Sequence, residues 1–205
     1  MFLFRLALTA VISYLLGCFN GSIIISKYIL KDDIRNHGSG NAGLTNFYRT
    51  FHGPLTFLVI LGDVLKVVVA VLLAKTLLVP FGWGVEGGLW SGFFVMLGHV
   101  FPIFFRFKGG KGVLSAGTLA AMMDWRVFAL TMGIFILSVA LTQWVSLGSV
   151  LAGFCFPFAV WYLMKPSAVS IVLAFLCGLL LLIMHRENIG RLLRGEERKF
   201  HLSKK

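Results

Sequence analysis

Long apolar blocks separated by short polar segments dominate the chain, and their lengths predict helices that cross a lipid bilayer. Leu6–Ile25, Leu55–Val79, Leu89–Phe105, Val127–Val145, Leu147–Met164 and Ala168–Met184 are each apolar over about 17–25 residues. Neither a period of two nor a period of 3.6 organises them, so lipid rather than a protein core is the expected surrounding. A seventh apolar piece, Val113–Met123, covers only about half of a hydrocarbon core of ~30 Å at ~1.5 Å per residue. Backbone polar groups in hydrocarbon must be satisfied within the segment, which makes the expected class all-α.

Charge fixes the expected sidedness. Lys27, Lys31, Arg35 and Arg49 follow the first block, and Arg106, Lys108 and Lys111 follow the third. Arg186, Arg191, Arg194, Arg198, Lys199, Lys204 and Lys205 fill the tail, so 14 of the 19 basic residues lie on three segments. Arg5, Lys75, Arg126 and Lys165 stand singly on the others, and Lys66 lies within a block. Basic segments remain in the cytoplasm, so the chain must cross an even number of times between Lys111 and the tail. Three full blocks lie there, and Val113–Met123 supplies the fourth crossing. The expectation is one membrane domain over residues 1–205, with seven transmembrane helices, the N-terminus out and the C-terminus in.

Composition agrees: 58% of the 205 residues are hydrophobic and only 13% charged, against about 25% charged for a soluble domain. Cys18, Cys155 and Cys177 lie in apolar blocks without metal or redox spacing and read as small hydrophobes. Leu15-Leu16-Gly17-Cys18 resembles a lipoprotein cleavage site. Cleavage would export the basic loop that follows, so a retained first helix is expected.

With this sidedness, all five histidines (His37, His52, His99, His185 and His201) fall in or near cytoplasmic segments. Residues 34–49 read IRNHGSGNAGLTNFYR. Gly38, Gly40 and Gly43 permit close backbone approach, while Ser39, Asn41, Thr45, Asn46 and Arg49 supply donors suited to a phosphate or polyol. Residues 99–113 read HVFPIFFRFKGGKGV, and Gly109-Gly110-Lys111-Gly112 before an apolar helix is a recipe for an anion site. No GxxxxGK[ST] frame is present, so it is not a Walker A loop. Residues 185–197 read HRENIGRLLRGEE, and in a continuing helix His185, Asn188 and Arg191 share a face. The bland alternatives are a polar turn, a headgroup-level basic turn and a snorkelling helix end. Gln143 with Ser146-Leu147-Gly148-Ser149 reads as a break between two blocks. Asp63 and Lys66 are an i,i+3 pair inside the second block, equally readable as functional or as self-neutralising. Pro102 and Pro157 are expected to kink their helices.

In this order and spacing, GSGNAGLTNFYR, HVFPIFFRFKGGKGV and HRENIGRLLRGEE resemble the signature of the bacterial acyl-phosphate:glycerol-3-phosphate acyltransferases. Asp63-x-x-Lys66 and Trp144-Val145-Ser146-Leu147-Gly148-Ser149 fit as well, so the resemblance covers nearly the whole chain. Departures are the stretch Gly17–Ser22, Val67 after the lysine, and Leu114-Ser115 in place of Ala-Thr. The resemblance implies acyl transfer from acyl phosphate to the 1-hydroxyl of sn-glycerol 3-phosphate, giving lysophosphatidate and phosphate, the first step of phospholipid synthesis. It implies a multi-pass protein of the bacterial cytoplasmic (inner) membrane with its active site facing the cytoplasm. Gly109, Gly110, Lys111 and Gly112 would bind the donor's phosphate. Ser39, Asn41, Thr45, Arg49, His185 and Asn188 would hold glycerol 3-phosphate, with Gly40, Asn46 and Ser146 contributing to the substrate site. Lys111, His185, Asn188 and Arg49 are the catalytic candidates. No cofactor, metal or nucleic acid is expected; the partners are the two substrates, membrane lipid and, as a further candidate, the enzyme that makes acyl phosphate. A transporter or channel for a phosphorylated anion is the alternative, and it would place polar sites near the midplane, often in inverted repeats.

Overall fold

The structure, a computed structural model, describes residues 1–200; the expectations for His201, Lys204 and Lys205 lie outside them. Among the described residues, every regular element is helical. Helix α1 (Phe2–Gly17) is followed by a short α2 (Gly21–Ile24) that continues as a π-helical turn, Ile25–Ile29. A small amphipathic α3 (Leu44–Phe51) precedes the long α4 (Leu55–Leu78). Then come α5 (Val85–Val100), α6 (Val113–Met123), α7 (Trp125–Thr142), α8 (Val145–Met164), α9 (Ala168–Met184) and α10 (Arg186–Leu193). Five helical stretches are long and apolar enough to cross a membrane, or six if α9 and α10 form one broken span. The expected count of seven is therefore not reached by length alone, because α6 has only 11 residues.

Four local expectations need correction, each for a backbone reason. The first block remains one span, Phe2–Ile29, but it is interrupted rather than continuous. Asn20 leaves helical geometry and caps α2, its side chain accepting from Ile23 N at 3.1 Å and donating to the Ala42 carbonyl at 3.1 Å. Pro102 terminates α5 rather than kinking it, since Phe101 before it leaves the helical region. The break between α7 and α8 falls at Gln143, whose φ is 63°, so Ser146 and Ser149 belong to the start of α8. Finally, the helix does not continue through His185: α9 and α10 meet there at 59°. Pro157 does stay inside α8.

Contacts at the two ends show that successive long helices alternate in direction. At one end, Arg5 of α1 donates to Leu77 O of α4 at 3.2 Å, and Lys75 of α4 to Met122 O of α6 at 3.3 Å. Arg126, at the start of α7, reaches Leu163 O near the end of α8 at 3.0 Å, and Ser167 before α9 bonds Glu86 at the start of α5. The polar segments gather at the opposite end. Between the ends, Val71, Leu89, Met96, Leu119, Val160 and Leu181 pack in one apolar core. Large side chains such as Phe57, Leu72, Leu137, Trp161 and Val172 point outward, the arrangement expected when hydrocarbon is the solvent. Helices α1 and α5 meet backbone to backbone through glycine: a Cβ on Gly98 would run into Tyr14 O, and one on Gly17 into Val95 O.

Candidate active site

The three donor-rich segments converge on a cavity of about 620 Å³ at the polar end of the helices. One part is polar, lined by Ser39, Asn41, Thr45, Asn46, Arg49, Lys111, Ser146, His185, Asn188, Arg191, Glu197 and Arg198. The other part is apolar and runs along α6 and α7 past Val113, Leu114, Gly117, Ala121, Phe128, Met132 and Phe135.

The first loop is built around Asn46, which is 7% exposed. Its amide nitrogen donates to His37 O and Asn41 O at 3.0 Å each, and its oxygen accepts from Ser39 N at 3.1 Å. Asn46 therefore lines the cavity while its amide is committed to shaping the loop. Arg35 ties this loop to the next one, pairing with Asp33 at 2.7 Å and donating to Phe105 O at 2.8 Å. Gly40 adopts φ +69° and lies outside the lining, serving as a turn residue.

The second loop divides into two halves. The amides of Gly109 and Gly110 donate to the carbonyls of Val100 at 3.0 Å and His99 at 3.1 Å. These two glycines lie outside the lining, and a Cβ on either would strike His99. They hold the loop against α5. Lys111 and Gly112 face the cavity, with Gly112 at φ +81° turning the chain into α6. Burial draws the Lys111 ammonium below its ordinary pKa, and the Arg191 guanidinium adds to this.

The third segment reaches the cavity because the bend at His185 turns α10 across the helix ends. His185, Asn188 and Arg191 all line the cavity, although no single helix face carries them. His185 is 3% exposed, and its Nδ1 lies 2.8 Å from Leu181 O. A carbonyl only accepts, so Nδ1 carries the hydrogen and Nε2 presents a lone pair. Burial pushes the ring down to about 4, so it stays neutral near pH 7. Asn188 accepts from Lys111 Nζ through Oδ1 and donates to Glu197 Oε1 at 2.7 Å. Glu197 also pairs with Arg191 at 2.7 Å. Burial raises the Glu197 carboxyl, but Arg191 and Asn188, which both donate to it, hold it below the usual carboxylate range. Ser146 Oγ is buried without a hydrogen-bond partner among the described residues.

Arg191, Glu197, Arg198, Asp63 and His99 also line the cavity, although the sequence assigned none of them a substrate role. Nothing in the sequence separates Glu197 from the adjacent Glu196; its placement needs residues 195–200 to fold back. Phe200 N donates to Gln143 O at 2.7 Å, and Arg49 stacks over the Phe200 ring at 5.6 Å.

A cavity with cations and donors at one end and apolar helix faces at the other suits an amphiphile carrying phosphate. The family model described as glycerol-3-phosphate acyltransferase matches residues 7–195. The chain belongs to the glycerol-3-phosphate acyltransferase family. A relative of that name from Thermoanaerobacter pseudethanolicus is 38% identical over 195 residues, covering 94% of each chain. One from Staphylococcus aureus (strain Newman) is 37% identical over 193 residues, covering 92% of this chain and 94% of the relative. Two crystal structures of PlsY (YgiH), an integral membrane glycerol 3-phosphate acyltransferase, share the fold at 30% identity. The glycerol 3-phosphate form has a TM-score of 0.85 and covers 96% of both chains. The lysophosphatidic acid form has a TM-score of 0.82 and covers 96% of this chain and 95% of that one. The protein is thus an integral membrane acyltransferase of the PlsY type, with an all-helical fold.

Proposed function

We propose that this acyltransferase takes its acyl group from an acyl phosphate and delivers it to the 1-hydroxyl of glycerol 3-phosphate, releasing lysophosphatidate and phosphate. The observation that carries the reading is the amphiphilic cavity, with Lys111 at the junction of its polar and apolar parts. The donor's phosphate would sit at Lys111 and the loop entering α6, with its chain along α6 and α7. Glycerol 3-phosphate would occupy the side formed by Ser39, Asn41, Thr45, Arg49, Ser146, His185 and Asn188.

In the reaction the 1-hydroxyl oxygen bonds to the acyl carbon and the carbon–oxygen bond to phosphate breaks. The donor is already activated, so the chain's own work is orientation and charge stabilisation. The leaving phosphate takes the hydroxyl proton. Neutral His185 offers its Nε2 lone pair to the neighbouring 2-hydroxyl and so positions glycerol 3-phosphate, which leaves the 1-hydroxyl proton free for the phosphate; Asn188 is held in register by Lys111 and Glu197.

The cavity lies at the end that carries the basic segments, which favours an orientation with that end in the cytoplasm. The alternating helix directions support seven crossings in a single domain, N-terminus out and C-terminus in, within the bacterial inner membrane. Helix α6 then crosses a locally thin region, shielded by α4, α5, α7 and α8. The enzyme that makes acyl phosphate is a candidate partner.

A donor comparison tests the reading. Purified protein should make lysophosphatidate from glycerol 3-phosphate with palmitoyl phosphate and not with palmitoyl coenzyme A. Turnover with the thioester alone, or uptake of glycerol 3-phosphate into liposomes without acylation, would overturn it.

A further inference from the structure

The mechanism above leaves one buried polar cluster unused. Asp63 and Lys66 of α4 and His99 of α5 are 1%, 5% and 4% exposed, and Asp63 and His99 line the cavity. Lys66 Nζ lies 2.7 Å from Asp63 Oδ1, 2.8 Å from His99 Nδ1 and 3.1 Å from Phe19 O. Asp63 Oδ1 also accepts from Gly21 N at 3.3 Å. An ammonium beside a carboxylate only donates, so His99 Nδ1 must accept and Nε2 must carry the ring hydrogen. Nε2 has no hydrogen-bond partner among the described residues, and it lies against Gly110, next to Lys111. A donor without a protein partner, on a residue that lines the cavity beside the Lys111 loop, is placed for a ligand to complete it.

We propose that His99 is a substrate-contacting residue. Its neutral Nε2–H donates to an oxygen of the phosphorylated acyl donor held at Lys111, and Lys66 and Asp63 are positioning residues that fix the ring's tautomer. The lysine does for His99 what the Leu181 carbonyl does for His185, with the opposite result. One histidine presents a donor to the cavity and the other a lone pair, both neutral. Such a donor, fixed before the substrate arrives, needs no reorganisation as charge develops on the acyl phosphate.

The inference rests on the acyl-phosphate reading, and its test separates the two. With palmitoyl phosphate and glycerol 3-phosphate, His99→Phe keeps bulk and removes the donor. It should lower kcat/KM for the acyl donor about 10–100-fold, with KM for glycerol 3-phosphate changed less than about threefold. His99→Gln places an N–H near the same point and should recover most of the loss. A near-normal Phe variant, a Gln variant no better than Phe, or a loss confined to the KM of glycerol 3-phosphate would each overturn the proposal. In the wild-type protein, ¹⁵N spectra should show His99 protonated at Nε2 and bare at Nδ1, with inorganic phosphate shifting Nε2. A bare Nε2, or no shift at saturating phosphate, overturns the assignment whatever donor the enzyme uses.

Discussion

Lys111→Met isolates the charge at the centre of the site. The side chain keeps its length and apolar stem, so the packing of the loop against α5 through Gly109 and Gly110 is left alone. What disappears is the ammonium that lines the cavity and bonds Asn188 Oδ1. A hydrogen bond to a charged group contributes about 1.5–3 kcal/mol, and about 2 kcal/mol corresponds to roughly 30-fold in rate or affinity. Stability should change much less. The freed Asn188 oxygen faces a cavity that water can enter, and the Glu197 carboxylate retains Arg191 at 2.7 Å. Steady-state kinetics with palmitoyl phosphate should show kcat/KM down about 10–100-fold. Thermal denaturation in detergent should shift by only a few degrees. Lys111→Arg, which retains charge in a bulkier form, should recover part of the activity. Kinetics of Lys111→Met within about threefold of wild type, or a loss matched by collapse of the melting transition, would refute the reasoning.

Three other outcomes follow from the same geometry. Because burial holds His185 at about 4, its titration should add no limb between about pH 5.5 and 8.5, and any limb from the substrates' own phosphates should persist in His185→Gln, which should mainly raise KM for glycerol 3-phosphate. An acidic limb near 6.5 that vanishes together with kcat in that variant would make His185 the base. Gly109→Ala should be severe, since its Cβ would meet the carbonyls of His99 and Val100, the latter at 2.8 Å, whereas Gly112→Ala meets nothing within 3.7 Å and should cost only about 1–2 kcal/mol of left-handed strain. Melting temperature and expression level rank the two, and the reverse order would contradict the packing. Single cysteines at positions 108 and 126, with Cys18, Cys155 and Cys177 replaced, should label from the cytoplasmic and the outer side respectively; outer labelling at 108 would contradict the orientation of the cavity as well as the topology.

Apolar blocks announced most of the helices because lipid imposes a composition, and α9 has the bounds that its composition indicates. Breaks inside apolar runs were harder to read. Asn20 interrupts a run that remains hydrophobic on both sides, and only its capping bonds to Ile23 and Ala42 reveal why the chain turns there. Gln143 and His185 likewise end helices through backbone geometry that their neighbours' hydropathy does not encode. At the site, the polar residues of the three segments were legible as donor-rich chemistry, but their division of labour was not. Asn46 shapes its own loop, and Gly109 and Gly110 serve close packing against His99. Glu197 sits six residues beyond Arg191 in a basic tail, and its bonds to Arg191 and Asn188 depend on the return of residues 195–200 over the cavity. The pairing of Asp63 with Lys66 was visible from their spacing, whereas His99, 33 residues further on, joins them only through the packing of α4 against α5.

The most direct test follows both products of one reaction. Purified protein in lipid nanodiscs is given palmitoyl phosphate labelled with ³²P, with and without glycerol 3-phosphate. The expected result is release of labelled inorganic phosphate in step with lysophosphatidate, one for one, acylated at the 1-hydroxyl, and no release above background without the acceptor. Release of phosphate without a matching acylated product, or lysophosphatidate retaining the donor's label, would contradict transfer from acyl phosphate at this site.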